Sequence, residues 1–307
     1  MNSPHTSISS SIQNPTGDPA ASTPQSAAAG PNAGTGHGRK RRPIALSPSR
    51  AIDYNQCPLL YRLRAIDRLP EPKTIAQVKG TLVHSALEKT HELPREERTY
   101  PRAVKFLKPE WEDMCAKDDE LIELVPPEQT MSFLVEARDL VKGYFQMENP
   151  QGFDAKAVEM YVDTILPNNV PVRGFIDRVD EAPTGEVRVV DYKTGKKPKP
   201  QYSHDAQFQM RFYALVYWRL HGVIPAQLRL MYLKVFDSMF LTPSREELEY
   251  FERDLGDLWA KIEGDGKQGI FRPKKSKLCG WCSFQDLCPA FGGTPPEYPG
   301  WPGSTAD

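Results

Sequence analysis

The segment from residue 155 to residue 195 constrains the fold most, because it contains three strand-like runs in close succession. Each run is rich in β-branched and aromatic residues, and turn residues such as Asn168-Asn169 and Pro183-Thr184-Gly185 separate the runs. Short connections of this kind join antiparallel neighbours. We therefore predict an antiparallel meander built from "AKAVEMYVDTIL", "VPVRGFIDRVDE" and "GEVRVVDYKTG".

The residues after the meander extend this prediction to a mixed sheet. A helical pattern, "DAQFQMRFYALVYWRLHG", is followed by strand-like stretches near 227–235 and 239–242. A last helix is predicted to begin at Ser244, because Glu247 stands three residues on and completes a capping box. The expected fold class is α/β (α+β), with a central mixed sheet flanked by helices and a catalytic sheet over about 155–242.

The chain before the meander divides into a low-complexity tail and a helical part. Residues 1–42 consist largely of Ser, Thr, Pro, Ala and Gly, with too little apolar surface to offset the entropy of ordering, so we predict disorder there. Order is expected to begin at Ser47, which can cap a helix whose first residue is Pro48. A second helix, "KGTLVHSALEKTHEL", and two amphipathic stretches near 101–122 and 130–148 follow, the latter two within a helical part spanning about 95–150.

Charge and hydropathy exclude some classes of protein. The formal net charge is −1, so the whole chain is not a nucleic-acid binder by bulk charge, although lysines cluster locally after residue 192 and near residue 274. A solvated lysine-rich loop explains either cluster equally well. No run of eighteen apolar residues and no apolar signal core occurs, so neither a membrane span nor a secretory signal is predicted, and the cytoplasm is the expected compartment.

The end of the third strand carries the first chemical signal. Asp191 and Lys193 lie two residues apart and so share one face of the strand, while Tyr192 points to the other face and leaves its backbone carbonyl as a candidate ligand. Asp177 lies near the end of the neighbouring strand. Two adjacent carboxylates with open, hydrated space suit Mg²⁺ or Mn²⁺, and a lysine beside such an ion can serve a water that attacks a phosphodiester. Taken alone, Asp-x-Lys favours an ordinary surface hairpin.

Two further motifs, "KGTLVHSALE" upstream and "QFQMRFY" downstream, complete a known pattern. With them, residues 46–290 resemble the RecB-type branch of the PD-(D/E)XK nucleases. The resemblance implies metal ligation by His84 (in Gly80-x-x-x-His84), Asp177, Asp191 and the Tyr192 carbonyl. It also implies catalytic roles for Asp177, Asp191, Lys193, Gln209 and Tyr213. Gln207 is a rival for the glutamine role, but only Gln209 has the four-residue spacing to Tyr213. Glu159 is the loosest match.

Four of the five cysteines form a candidate metal site. Cys57 lies far upstream of Cys279, Cys282 and Cys288, and such a set in a cytosolic chain is more typical of metal binding than of disulfides. Structural Zn²⁺ and a [4Fe–4S] cluster both accept four thiolates, and spacing does not decide between them. The resemblance to RecB-type nucleases implies the iron–sulfur cluster, with a structural role. Cys115 has no partner at ligand spacing.

These features lead to a main hypothesis and its rivals. The main hypothesis is a deoxyribonuclease that requires Mg²⁺ or Mn²⁺, a single-strand or end-directed exonuclease of DNA repair or recombination. The rivals are a non-catalytic DNA-binding module, a nuclease subunit that depends on a helicase in trans, and a zinc-stapled structural protein. No phosphate-binding loop occurs, so no helicase motor is expected in this chain. The expected nuclease domain spans 43–292, with a cluster-binding segment at 279–288 and a flexible C-terminal tail at 293–307.

Overall fold

The computed structural model describes residues 44–302. Within them, one mixed sheet of five strands has the order β1-β2-β3-β4-β5. β1, β2 and β3 pair antiparallel, β3 and β4 pair parallel, and β5 returns antiparallel to β4. The predicted meander and mixed sheet are therefore confirmed. The strands are β1 (Ala155–Ile165), β2 (Pro171–Glu181), β3 (Val187–Lys193), β4 (Gln227–Tyr232) and β5 (Asp237–Leu241).

Helices cover the sheet, and several begin with the side-chain caps that satisfy their first backbone N–H groups. Ser47 accepts a hydrogen bond from the Arg50 N–H, and the predicted capping box of Ser244 with Glu247 is present. A four-residue helix is followed directly by one π-helical turn over Arg62–Ile66. The α-helices are α1 (Pro48–Gln56), α2 (Pro58–Tyr61), α3 (Ile75–Glu92), α4 (Tyr100–Lys117), α5 (Glu120–Leu124), α6 (Pro127–Met147), α7 (His204–His221) and α8 (Arg245–Gln268).

The sheet separates two apolar cores. α1, α7 and α8 pack with one face, and α3, α4 and α6 pack with the other. β3 shows the division clearly, because Val189 belongs to the α7 side whereas Val190 and Tyr192 belong to the α3 side. This alternation is the reason why β3 reads as a nearly continuous apolar run: it is buried on both faces. Asp191 is consequently held between two packed layers.

In β1 and β2 the regular alternation of side chains between the two faces of the sheet is interrupted at the same place in the hairpin. On β2, Ile176 and Val179 pack in the same core although their odd spacing should place them on opposite faces. On β1, Ala157 and Met160 show the same anomaly. Between these pairs lie Val158 and Glu159 on β1 and Asp177 and Arg178 on β2, none of which belongs to the α7-side core. Glu159 and Asp177 lead directly to the candidate site.

The segment after α8 forms a cysteine-containing lobe and then returns to α8. Leu59, Leu60, Leu63 and Phe284 make a small separate core beneath this lobe. Beyond it, the Tyr298 hydroxyl donates a hydrogen bond to the Gly266 carbonyl. The C-terminal tail expected from residue 293 thus begins with a packed stretch, up to residue 302.

The remaining expectations about the termini fall outside these residues. The low-complexity tail predicted at 1–42 and the last five residues of the C-terminal tail lie outside the described part of the chain. Among the helices of residues 44–302, none is both long and apolar enough to cross a membrane.

Candidate active site

Asp191 and Lys193 lie at the end of β3 and form an ion pair that α7 completes. The Lys193 Nζ lies 2.7 Å from the Asp191 Oδ2. Gln209, on α7, bridges the pair: its Nε2 donates to the Asp191 Oδ1 at 2.7 Å, and its Oε1 accepts from Lys193 at 2.8 Å. Because the amide satisfies both partners at once, it fixes the directions of the carboxylate and the ammonium group.

Asp177 lies where β2 and β3 separate. The last paired rung of these strands is Arg178 with Val190, so the next residues are free to diverge. The Asp177 Oδ2 accepts a hydrogen bond from the Tyr192 N–H at 2.7 Å and so spans the opening. This contact brings the Asp177 carboxylate next to the Asp191–Lys193 pair.

His84 reaches the same point from α3. Its Nε2 lies 2.9 Å from the Tyr192 carbonyl oxygen, and its Nδ1 lies 3.4 Å from the Asp177 Oδ2 and 4.0 Å from the Glu159 Oε1. An imidazole that donates from Nε2 to a carbonyl presents Nδ1 to the carboxylates. The Tyr192 carbonyl has two lone pairs, and the contact with His84 uses one of them.

Glu159 lies on β1 at the rung where the side-chain alternation breaks. Its backbone φ is +44°, in a region that non-glycine residues rarely adopt, and both of its neighbours keep their pairing with β2. Such strain persists where the surrounding structure enforces it, commonly at functional sites. Here the unusual backbone turns the Glu159 carboxylate towards His84 and Asp177.

We call His84, Glu159, Asp177, Asp191 and Lys193 the carboxylate cluster. Two of its three acids, Glu159 and Asp191, have raised pKa values. Burial, followed by the charge of Asp177, raises the pKa of Glu159 to about 7, and burial with Asp177 raises that of Asp191 to about 6 although Lys193 opposes the shift. Burial lowers the pKa of His84, but the carboxylates outweigh it and raise the pKa to about 9.

The carboxylate cluster has the donor set and the spacing of a divalent-metal site. One ligand atom each from His84, Glu159 and Asp177 lies within 4.8 Å of the others. Carboxylate oxygens are the ligands that Mg²⁺ and Mn²⁺ prefer, and imidazole binds transition ions such as Mn²⁺ more readily than Mg²⁺. Burial, together with the charge of Asp177, raises the pKa values of Glu159 and Asp191, and a bound cation would favour their ionised forms. The residues therefore fit a divalent metal.

Two glycines allow helices to approach this end of the sheet closely. A Cβ on Gly80 would come within 3.1 Å of the Thr194 Oγ1, so the glycine lets α3 lie against the end of β3 and brings His84 into reach. A Cβ on Gly174 would come within 3.3 Å of the Tyr213 ring. Tyr213 is accordingly buried between α7 and β2, while Gln207 bonds to Ser203 and stays outside the cluster.

Sequence comparison agrees with this geometry. The sequence model of the PD-(D/E)XK nuclease superfamily matches residues 45–289, which is most of the chain. The chain belongs to the PD-(D/E)XK nuclease superfamily. Membership makes it a hydrolase of phosphodiester bonds that acts on DNA with the aid of divalent metal. No curated protein matches this nuclease in sequence.

Solved structures show the same fold. The nuclease is similar to the crystal structure of a presumed exonuclease from Eubacterium rectale, with a TM-score of 0.52 and 12% identity over 78% of this chain and 87% of that one. The crystal structure of SSO0001 matches 70% of the nuclease and 97% of its own chain, with 17% identity and a TM-score of 0.35. At 12% identity, the similarity to the Eubacterium rectale structure shows the fold alone. With a TM-score of 0.35, the match to SSO0001 supports no conclusion about fold or function.

A second group of buried charges lies beside the carboxylate cluster of the nuclease, and sequence analysis missed it. Arg178, which is fully buried, donates to the Tyr192 hydroxyl at 2.8 Å and pairs with Glu148 and Asp180. Arg188 and Arg229 add further contacts to the two acids. We call this set the arginine network; its members are Arg178, Arg188, Arg229, Glu148 and Asp180.

The arginine network and the carboxylate cluster meet at Tyr192. The Tyr192 side chain lies in the network, whereas its N–H and carbonyl hold Asp177 and His84 in the cluster. Burial and the charge of Arg178 lower the pKa of the neighbouring His91 to about 3, so that histidine is neutral. The one available sequence signal was an arginine inside the apolar run "GFIDRVD", which has to find acidic partners when buried.

The four predicted cysteines line one cavity in the nuclease. Cys57 comes from the start of α2 and the other three from the C-terminal lobe, and all four are free thiols. Backbone N–H groups of Lys274 and Ser276 point at the sulfurs of Cys57 and Cys279, at 3.4 and 3.3 Å. N–H groups directed at sulfur stabilise thiolates. The donor set therefore fits a metal or metal cluster, whereas Cys115 lies apart, beside the α4–α6 core.

Proposed function

We propose that this nuclease is a RecB-type exonuclease that degrades DNA from ends or as single strands, in repair or recombination. One observation carries the proposal: the carboxylate cluster forms at the end of the sheet where α3, β2, β3 and α7 converge. A groove of about 500 Å³ between α3 and β1 opens onto it and is lined by His84 and Glu159. A strand end can therefore reach the acids from solvent.

Each residue of the cluster has a role that follows from its position. His84, Asp177, Asp191 and the Tyr192 carbonyl would hold Mg²⁺ or Mn²⁺, and Glu159, which faces the same point, would complete the set. The bound ion would polarise the scissile phosphate and lower the pKa of a water. Lys193 orients the attacking water and offsets negative charge on the phosphoryl oxygens. Gln209 positions Lys193 and Asp191, and Tyr213 supports Gln209 from beneath by its packing on Gly174.

The cysteine cavity is proposed to hold a [4Fe–4S] cluster. In a tetrahedral zinc site with Zn–S bonds of about 2.3 Å, the sulfurs lie about 3.8 Å apart. No three of the four sulfurs, all of which are described, come within 4.8 Å of one another. Wider spacing suits four thiolates that each bind a different iron. The cluster would fasten α2 to the C-terminal lobe and complete a nuclease domain spanning 43–292.

Cleavage assays test the proposed activity. Anaerobically purified protein is incubated with end-labelled single-stranded and duplex DNA in Mn²⁺, in Mg²⁺ and in chelator, beside the Lys193→Ala variant. We expect shortening from the ends with either metal, and none in chelator or with the variant. Circular DNA serves as the control substrate, and efficient cutting of closed single-stranded circles would contradict the exonuclease assignment. Iron and acid-labile sulfide assays test the cluster separately, and stoichiometric zinc would refute it.

The non-catalytic alternative and the need for a helicase are decided by the same assay. A DNA-binding module would bind labelled DNA in every condition without cutting it. A helicase-dependent subunit would cut neither free single strands nor duplexes until a helicase and ATP were added. The full presence of the carboxylates, lysine and glutamine around one point favours catalysis, because a module that only binds DNA has no use for them.

A further inference from the structure

The outer face of the β1–β2 hairpin carries two exposed aromatic rings beside the carboxylate cluster. Tyr161 and Phe175 are paired across the strands, their ring centroids lie 5.0 Å apart, and they are 48% and 52% exposed. Exposed aromatic surface is costly and usually marks a place where something binds. The pair lies on the strand face that α7 and α8 do not cover.

The register places this pair next to the metal ligands. Met160 and Ile176, paired with each other, face inward, so the rungs on either side of them face outward. On one side lies the rung of Glu159 and Asp177, and on the other the rung of Tyr161 and Phe175. Two residues along an antiparallel strand span about 7 Å. A strand whose phosphate reaches the cluster would thus bring a neighbouring base to the two rings.

Arginines follow the aromatic pair on the side away from the cluster. Arg173 lies two residues before Phe175 and pairs with Asp163, which also accepts the Tyr161 hydroxyl. Arg173 therefore neutralises Asp163, which lies opposite it in the strand register. Arg50 lies nearby, because it donates a hydrogen bond to the Ala45 carbonyl and the adjoining Leu46 carbonyl accepts from the Arg173 N–H. The local excess of charge is positive, as a phosphate backbone requires.

We propose that the Tyr161–Phe175 face stacks a base of single-stranded DNA while Arg173, with Arg50 beside it, attracts the adjoining phosphates. Stacking on aromatic rings with basic residues alongside is the general mode of sequence-tolerant single-strand binding. The inference rests on the proposed function and narrows it, because it names the form of DNA that the cluster receives. A base within a duplex is already stacked and paired, so the face selects unpaired strands.

Binding measurements without cleavage test the proposal. In chelator, fluorescence anisotropy with a labelled oligonucleotide gives Kd for wild type, for the Tyr161→Leu/Phe175→Leu double variant and for Phe240→Leu. Phe240, at 55% exposure on β5, is a matched exposed strand aromatic far from the hairpin in the sheet order. We expect the double variant to weaken single-strand binding about 10- to 100-fold and Phe240→Leu to leave it unchanged. Equal Kd values for the double variant and wild type would overturn the inference.

Two further readouts distinguish base stacking from self-association through the same face. An oligonucleotide with 2-aminopurine near its end should lose fluorescence on binding wild type but not Phe175→Leu, a milder change that keeps Tyr161. Sedimentation should show the same oligomeric state for wild type and all variants. If the variants instead lose self-association and keep their DNA binding, the face binds a second copy of this chain and the proposal is overturned. In Mn²⁺, the variants should raise KM and leave kcat nearly unchanged. If wild type binds with quenching but never cuts, the proposed function fails while this inference stands.

Discussion

The carboxylate cluster and the arginine network lie back to back on β2 and β3, and they balance their charges in opposite ways. In the network, three guanidinium groups surround Glu148 and Asp180. Burial raises the pKa of Glu148, but Arg178 outweighs it, so the pKa ends below its usual value. In the cluster, three acids face one lysine and one histidine, and the pKa values of Glu159 and Asp191 are raised.

This difference separates a structural site from a reactive one. In the arginine network each charged group has an oppositely charged partner in the folded protein, so the network requires no bound ion. The cluster is short of positive charge, and His84 makes up part of the deficit by binding a proton with a pKa of about 9. A divalent cation would displace that proton, so metal binding and protonation compete at the same place. Removing a charge from the arginine network should therefore destabilise the fold, whereas removing an acid from the carboxylate cluster should not.

The largest effect is expected from the network. Arg178→Met keeps much of the side-chain volume but leaves Glu148 and Asp180 without their main buried partner. Breaking a buried ion pair in this way costs about 3–5 kcal/mol. Denaturant unfolding should show this loss, whereas Arg138→Met, which removes an exposed pair with Asp139, should change the free energy of unfolding by less than about 1 kcal/mol. Equal effects of the two variants would break the comparison.

Next in size is the loss of activity from the cluster. Asp191→Asn removes a metal ligand and the ion pair of Lys193, and should lower kcat on DNA by at least about 100-fold, as the loss of a preorganised charge does elsewhere. Because the substitution also relieves repulsion with Asp177, the metal-free variant should be at least as stable as wild type. A variant that is both inactive and strongly destabilised would place Asp191 among the structural charges instead.

The pH dependence of stability should distinguish the two sites. Glu159, Asp191 and His84 have pKa values in the folded state above those of the unfolded chain. Such groups stabilise the fold at low pH, and this stabilisation is lost as pH rises, here between about 4 and 9. Glu148 acts in the opposite sense, and its contribution is lost as pH falls below about 4.5. We expect the metal-free melting temperature to fall from pH 5 to 8. A part-exposed group such as Glu159 should contribute about 1 kcal/mol to the accompanying loss in the free energy of unfolding.

Repeating the pH series of melting temperatures in saturating Mn²⁺ gives a stricter test of the same claim. The ion should raise the melting temperature most at pH 8, where the acids are ionised, and least at pH 5, where protons compete. Glu159→Gln should flatten the metal-free profile while leaving the network unaffected. A profile that rises with pH in the absence of metal would show that the acids of the cluster are not short of positive charge.

The smallest effect on activity is expected at the residue that joins the two sites. Tyr192→Phe removes the hydroxyl that accepts from Arg178 and keeps the ring and the backbone contacts. The lost hydrogen bond to a charged group costs about 1.5–3 kcal/mol at most, while Asp177 and His84 keep their backbone partners, so kcat should fall only a few-fold. Tyr144→Phe, which removes another hydroxyl that accepts from Arg178 and keeps the ring packed against Tyr192, is the matched control and should leave kcat unchanged.

Sequence predicted the parts of the site that depend on local order. The faces of Asp191 and Lys193 follow from strand geometry, and the spacing of Gln209 to Tyr213 follows from one helical turn; the contacts of Asp191, Lys193 and Gln209 agree with both. The capping box at Ser244 follows from residues three apart. Such features need no knowledge of distant partners.

The parts that sequence missed depend on distant partners or on backbone strain. Arg178 meets Glu148 from a helix 30 residues earlier, and no local pattern pairs them. Glu159 was the loosest match because its direction comes from a positive φ that strand alternation does not foresee. The Tyr298 hydroxyl bonds to the Gly266 carbonyl and the Trp301 ring packs beside Trp259, in a proline-rich segment that composition alone presents as a tail.

Mn²⁺ binding to the metal-free protein tests the central claim most directly, namely that the carboxylate cluster is a divalent-metal site. Titration followed by electron paramagnetic resonance would compare wild type with Asp177→Asn and with Asp154→Asn, an exposed acid that pairs with Arg95 and Arg98. The account predicts that wild type and Asp154→Asn bind Mn²⁺ with release of protons and that Asp177→Asn binds it much more weakly. Equal binding by all three proteins, or binding by none, would contradict it.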